Sequence, residues 1–160
     1  MLELLNASKI IKPKSKIKLI NIKNRNLNLK FKIFYKFRFN SDFLKNNIDK
    51  KKYQKAESYI WFKKNHKKKI IFTINYKKKI IGLIIYNINN FYYSIIISKI
   101  FRNKNFGKTA IIKFIKYLKK KNFKLKTLVR KNNIKSVSLH DKICIIKKNY
   151  DKNFFLYKII

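Results

Sequence analysis

The chain has 160 residues, a formal net charge of +37 from 43 Lys and Arg against 6 Asp and Glu, and 46% hydrophobic residues. That is one domain's length with enough apolar content for a core. Its single Cys144 excludes a disulfide framework and a Cys-based metal site, and with only His66 and His140 besides, spacing assembles no metal-ligand cluster.

Such a charge ordinarily points to a nucleic-acid partner. Only Arg25, Arg38, Arg102 and Arg130 are Arg, however, and Arg is the residue suited to bidentate contacts with bases and phosphates. Lys, Ile and Asn fill more than half the chain, while Gly, Pro, Ala and Arg are scarce. The abundant residues have A/T-rich codons, so an AT-rich genome is expected to account for much of the charge. Non-specific adherence to polyanions at low salt is expected in any case.

The N-terminal Met1-Leu2-Glu3-Leu4-Leu5 lacks the pattern of a secretory signal, so a cytoplasmic location is expected. Lys16 to Ile22 largely alternates polar and apolar and predicts a strand. Leu27 to Phe39, with Leu27, Leu29, Phe31, Phe34, Tyr35 and Phe37, predicts a helix. Asn40 to Lys52, with Asp42 and Asp49, predicts a loop. Lys55 to Asn65 predicts a short helix bearing Tyr59, Ile60, Trp61 and Phe62, and a lone Trp on a helix is expected to pack inward.

Lys69 to Tyr76, Ile80 to Ile88 and Phe91 to Ser98 predict an antiparallel three-strand meander, with turns at Lys77-Lys78-Lys79 and Asn89-Asn90. Ile80 to Ser98 carries no charge, but the Asn residues at its centre make it a hairpin, with no membrane partner expected. Lys108 to Lys121 sets Ala110, Ile111, Ile112, Ile115, Tyr117 and Leu118 on one broad face and predicts a helix. Phe123 to Val129 predicts a strand, Asn133 to Lys142 a short helix, and Cys144 to Ile146 and Phe154 to Ile159 the last strands. No repeat, linker or domain boundary interrupts the order, so residues 1–160 read as a single domain.

Between the apolar run ending Ser94-Ile95-Ile96-Ile97-Ser98 and the amphipathic segment from Ile111 lies Arg102-Asn103-Lys104-Asn105-Phe106-Gly107-Lys108-Thr109-Ala110. A strand, a cation-bearing loop with a Gly and a helix start form a cradle for phosphate, because helix N-terminal N–H groups and the helix dipole favour an anion.

This stretch resembles the pyrophosphate loop of the GNAT family of N-acetyltransferases, Arg/Gln-x-x-Gly-x-Gly/Ala. Arg102, Gly107, Lys108 and Ala110 match, and Asn105, the non-Gly residue best suited to left-handed backbone, stands for the first Gly. Asn133-x-x-Ser136-x-x-Leu139-His140-Asp141-Lys142-Ile143-Cys144-Ile145 is similar to the family's Asn-x-x-Ser-x-x-x-Tyr-x-Lys-x-Gly-Phe segment. There His140 stands for Tyr, and Cys144 and Ile145 for Gly and Phe. More loosely, Phe37-Arg38-Phe39-Asn40-Ser41 and Glu57-Ser58-Tyr59-Ile60-Trp61-Phe62 resemble segments of a subfamily acting on sugar amines and ribosomal-protein N-termini, with Ser58 in place of His.

The resemblance implies an α+β fold with a central, mostly antiparallel mixed sheet flanked by helices, and transfer of an acetyl group from acetyl-CoA to a primary amine without a metal. It implies that backbone N–H groups across Asn105, Phe106, Gly107, Lys108 and Thr109 hold the diphosphate, with Arg102 and Lys104 adding charge. The pantetheine arm then runs beside Ile95–Ile97 and bonds Asn133, Ser136 belongs to the same cofactor segment, and the Ile97 N–H faces the oxyanion. His140 is the candidate proton donor to the leaving thiolate, and Glu57 the candidate base acting through water. The expected acceptor is a small amine or an amino group on a nucleotide-linked sugar, with a ribosomal or other protein N-terminus as the alternative and a homodimer as a further expectation. A polycationic nucleic-acid-binding protein and a decayed acetyltransferase fold stay open at this point.

Overall fold

The computed structural model describes residues 16–39, 54–120, 124–144 and 146–159. Expectations for residues 1–5, for the loop at 40–52 with Asp42 and Asp49, and for positions 121, 123 and 145 lie outside them. The elements are β1 (Ile17–Asn21), α1 (Leu27–Arg38), α2 (Lys55–Asn65), β2 (Lys69–Tyr76), β3 (Lys79–Asn87), β4 (Tyr93–Ile97), α3 (Phe106–Lys119), β5 (Lys126–Arg130), α4 (Ile134–Asp141), β6 (Ile146–Asn149) and β7 (Phe154–Lys158).

The helices start where their caps allow. The Asn26 side chain accepts from Leu29 N at 2.8 Å, which opens α1. At the start of α2, Gln54 and Glu57 form a capping box. The α3 stripe of Phe106, Ala110, Ile111, Phe114 and Leu118 is buried, and α1 buries Phe31, Phe34 and Phe37.

Strands β1-β2-β3-β4 make one antiparallel sheet, and β5-β7-β6 make another. Helix α3 covers one face of the larger sheet, over Phe72, Ile74, Ile84, Tyr86 and Tyr93. Helices α1 and α2 cover the other face, over Ile71, Leu83, Ile85 and Ile96. With both faces buried, the run Ile81 to Tyr86 has no solvent side, which is why it reads as continuously apolar and not as alternating. The mixed fold with antiparallel sheets and flanking helices is the one expected.

Among the described residues the two sheets meet at a single parallel bridge, Tyr92 to Lys126, with Lys126 N donating to Phe91 O at 2.9 Å. Past that point β4 pairs only with β3, and β5 only with β7. A Cβ on Gly82 would overlap the carbonyl of Ile96, so only Gly lets β4 press this closely against β3. Phe91, with φ of 64°, lies outside β4 and holds the corner where the sheets join, so the strand starts two residues later than expected. The last sheet differs too, since β6 begins at Ile146 where the apolar run from Cys144 to Ile146 predicts its end. No helix among the described residues is long and apolar enough to cross a membrane.

Candidate active site

The splay between β4 and β5 opens a cleft of about 470 Å³, walled by both strands, the loop before α3, and α4. Ile95, Ile97, Arg102, Asn105, Phe106, Gly107, Lys108, Asn133, Ser136 and His140 all line it. Segments some forty residues apart in sequence therefore come together around one opening.

At its loop end, Asn105 adopts φ 59° and ψ 6°, the left-handed conformation expected of the residue standing for Gly. The first backbone bond of α3 is Thr109 N to Asn105 O at 3.0 Å, and no side chain caps the turn. The N–H groups of Phe106, Gly107 and Lys108 are thus the ones left to face an anion. Thr109 is a correction: its N–H is already spent within the helix. Lys104 is another. It and Thr109 line a different hollow, beyond the loop, and the Lys104 ammonium lies 6.0 Å from the Phe101 ring centre.

Arg102 turns its Nε–H to Ile97 O at 2.9 Å, so it ties the loop to the end of β4 as well as bringing charge. Gly107 faces Leu139 across the cleft. A Cβ there would sit 3.6 Å from the Leu139 side chain, which fills the cradle without breaking the fold.

On the opposite wall, Asn133 caps α4, its Oδ1 accepting from Ser136 N at 3.3 Å, which leaves its amide N–H₂ for a ligand. His140 is 2% exposed. Its Nδ1 lies 2.7 Å from Ser136 O, and since a carbonyl only accepts, Nδ1 carries the proton. Ser136 Oγ stands 3.3 Å from the same nitrogen, so Ser136 orients the ring. Nε2 is buried without a partner. Burial holds the His140 pKa below the usual imidazole value, against the opposing pull of the Ser136 carbonyl and the Asp141 charge. The resting ring offers a lone pair at Nε2, where the sequence suggests a proton.

Around His140 lie the rings of Tyr157 at 5.3 Å and Tyr93 at 6.0 Å between centres. Tyr93 OH is also buried and unpartnered, and burial holds its pKa well above the ordinary tyrosine value. Tyr157 OH donates to Asp141 Oδ1 at 2.7 Å, and Asp141 also pairs with Lys147. Burial pushes the Cys144 thiol up to about 12, which favours the protonated form.

Glu57 does not line the cleft, and its carboxylate accepts from Gln54 N at 3.1 Å as the cap of α2. Among the described residues no carboxylate lines the cleft, and no three His, Cys, Asp or Glu converge. Trp61 is a further correction: it is 47% exposed, while the adjacent Phe62 takes the core position. Gly82 and Tyr93 were not anticipated as site residues. A solitary Gly in an apolar strand is the signal for the first. For the second, a Tyr inside an apolar run carries no signal until its neighbours across the fold are known.

The chain gives no match among curated protein sequences. Solved structures share its fold. A domain from Methanocaldococcus jannaschii superposes with a TM-score of 0.72 at 21% identity, covering 91% of this chain and 98% of that one. The Campylobacter jejuni N-acetyltransferase PseH, solved in complex with acetyl coenzyme A, gives 0.64 at 23% identity, covering 89% and 96%. A ribosomal-protein-alanine N-acetyltransferase from Brucella melitensis gives 0.62 at 12% identity, covering 89% and 99%. The profile of the acetyltransferase (GNAT) family matches residues 34–144, from α1 through the cleft to the end of α4. The chain belongs to the GNAT family of acetyl-CoA-dependent N-acetyltransferases.

Proposed function

We propose that this enzyme acetylates a primary amine on an anionic, ring-bearing acceptor, an amino group of a nucleotide-linked sugar. The observation that carries this reading is the exposed ring of Trp61 with the Lys69 ammonium 5.3 Å from its centre. Burial lowers the Lys69 pKa, and the Arg38 charge nearby lowers it further, so two cations gather beside an aromatic face. A base can stack there while its phosphates meet the cations. A chain of net charge +37 also repels polyamines and attracts anions over a Debye length or more.

In this reading the N–H groups of Phe106, Gly107 and Lys108 hold the diphosphate of acetyl-CoA, and the Asn133 amide and the edge of β4 hold its arm. Acetyl-CoA supplies the acetyl group as a thioester. A C–N bond forms to the amine, the C–S bond breaks, and one proton must pass from the amine to the thiolate. No described carboxylate lines the cleft to carry it, and His140, whose Nε2 is buried in the cleft wall without a partner, is the group assigned to relay it.

The test is thiol release from acetyl-CoA with a nucleotide-linked amino sugar, spermidine and an alanine-leading peptide as acceptors. An enzyme-only blank subtracts any signal from the Cys144 thiol. The expected result is kcat/KM at least about tenfold higher for the amino sugar than for the others. Preference for spermidine would overturn the anionic acceptor, and preference for the peptide would move the assignment to a protein N-terminus.

A further inference from the structure

Beyond the loop, on the side away from the cofactor cleft, β1, the turn between β2 and β3 and the start of α3 enclose a second hollow of about 1000 Å³. Six lysines line it: Lys16 and Lys18 from the β1 segment, Lys77 and Lys78 from the turn, and Lys104 and Lys108 around the α3 start. Among the described residues no carboxylate lines it. Six ammonium groups around one hollow repel one another unless an anion sits between them.

Base composition explains many lysines in this chain, but it does not explain Lys77 and Lys78. Both are left-handed, at φ 46° and 64°, in a two-residue hairpin turn between the paired Tyr76 and Lys79. Such turns favour Asn and Gly, and Lys is strained there. Asn codons are as A/T-rich as Lys codons, differing only at the third base. At this turn the cation is therefore retained against backbone preference, and nucleotide bias does not choose it over Asn.

We infer that this hollow is a binding site for the phosphate backbone of a single-stranded nucleic acid. Cations on three separate elements suit a chain of regularly spaced phosphates better than one small anion. The part-exposed Tyr76, its ring 4.8 Å from that of Phe106 and 5.6 Å from the Lys77 ammonium, lies in the same wall and is the aromatic contact for a base. Since Asn105, Phe106 and Lys108 line both openings, the strand would lie against the outer side of the cofactor loop.

The test compares Lys77→Asn/Lys78→Gly with a control of equal charge loss, Lys148→Gln/Lys152→Gln, on the far sheet. The probe is an oligothymidylate or oligouridylate of about a dozen nucleotides, followed by fluorescence anisotropy across a salt series. The turn variant places favoured residues at both left-handed positions, so loss of folding does not confuse the result. Its affinity is expected to fall about tenfold, and the slope of log K against log salt to shrink by about 1.4 for two lost phosphate contacts. The control is expected to stay within about twofold. Equal losses in the two variants would mean diffuse charge and overturn the site. Equal binding of an oligoglutamate with the same Lys77 and Lys78 dependence would replace nucleic acid by an acidic peptide. Acetyl-CoA affinity is expected to be the same in the turn variant, which keeps this site separable from the acyltransfer reading.

Discussion

At the loop before α3, the residue that departs from the family pattern is Asn105, and its backbone sits at φ 59° and ψ 6°, where a Gly would be comfortable. At the end of α4 the departing residue is His140, and it is a buried neutral ring with Nδ1–H committed to Ser136 and Nε2 bare. The first position is a matter of backbone conformation, and a residue tolerant of the left-handed region reproduces it. The second is a matter of side-chain chemistry, and exchanging a hydroxyl for an imidazole changes which protons are available. Substitutions at a conformational position can therefore be silent, whereas those at a chemical position reorganise the site.

One wall of the cleft is β4, which Gly82 lets press closely on β3, so Gly82→Ala carries the largest expected effect. The added methyl meets backbone, the Ile96 carbonyl, and not a yielding side chain. A loss of about 3 kcal/mol in unfolding free energy is expected by urea titration. Acetyl-CoA binding is expected to weaken as well, because β4 must move toward β5. An unchanged midpoint and affinity would show that the cleft does not rest on this contact.

His140→Phe keeps an aromatic ring and removes both nitrogens. Turnover is expected to fall about tenfold or more, equivalent to about 1.4 kcal/mol in barrier, with acetyl-CoA affinity within about twofold. Undiminished turnover would make His140 a packing residue and dissolve the chemical half of the comparison.

The same variant isolates a stability effect of pH. The folded His140 pKa lies below its unfolded value of about 6.5. Between those two values the unfolded chain binds a proton that the folded chain does not, so stability falls as pH drops through that window. The parent is expected to lose Tm as the pH falls through about 6.5 relative to His140→Phe, which lacks this group. Parallel Tm curves for the two proteins would mean that the ring is not held neutral by the fold.

How much of this was legible beforehand follows from the range of the interactions. The meander β2–β4, helix α3 and the cofactor loop were readable, because hydrophobic period, turn residues and loop spacing are local. The start of α3 at Phe106, two residues before the expected Lys108, follows from Asn105 acting as the cap through its backbone, which side-chain patterning does not register. Trp61 and Phe62 are adjacent on α2, and only the packing of α2 against Phe31 and Phe34 decides that Phe62 goes inward. The neutral state of His140 was not legible either, since it depends on Tyr93 and Tyr157 arriving from β4 and β7.

The smallest expected effects fall at Asn105, and they sharpen the comparison because two substitutions there separate conformation from chemistry. Asn105→Ala removes the side chain but must still hold φ near 59°, which costs Ala about 1 kcal/mol in stability. If that strain relaxes, the N–H groups of Phe106, Gly107 and Lys108 turn away from the diphosphate, and acetyl-CoA affinity falls with it. Asn105→Gly removes the same side chain and relieves the backbone, so stability and affinity are expected to match the parent within about twofold in Kd. Calorimetric titration of acetyl-CoA into the three proteins distinguishes the cases. A large gain for Asn105→Gly would mean that Asn only partly replaces the Gly, and that the loop has drifted from a tighter ancestor. An equal loss in both variants would mean that the Asn side chain itself contacts the cofactor, and the loop would then belong with His140 among the chemical positions.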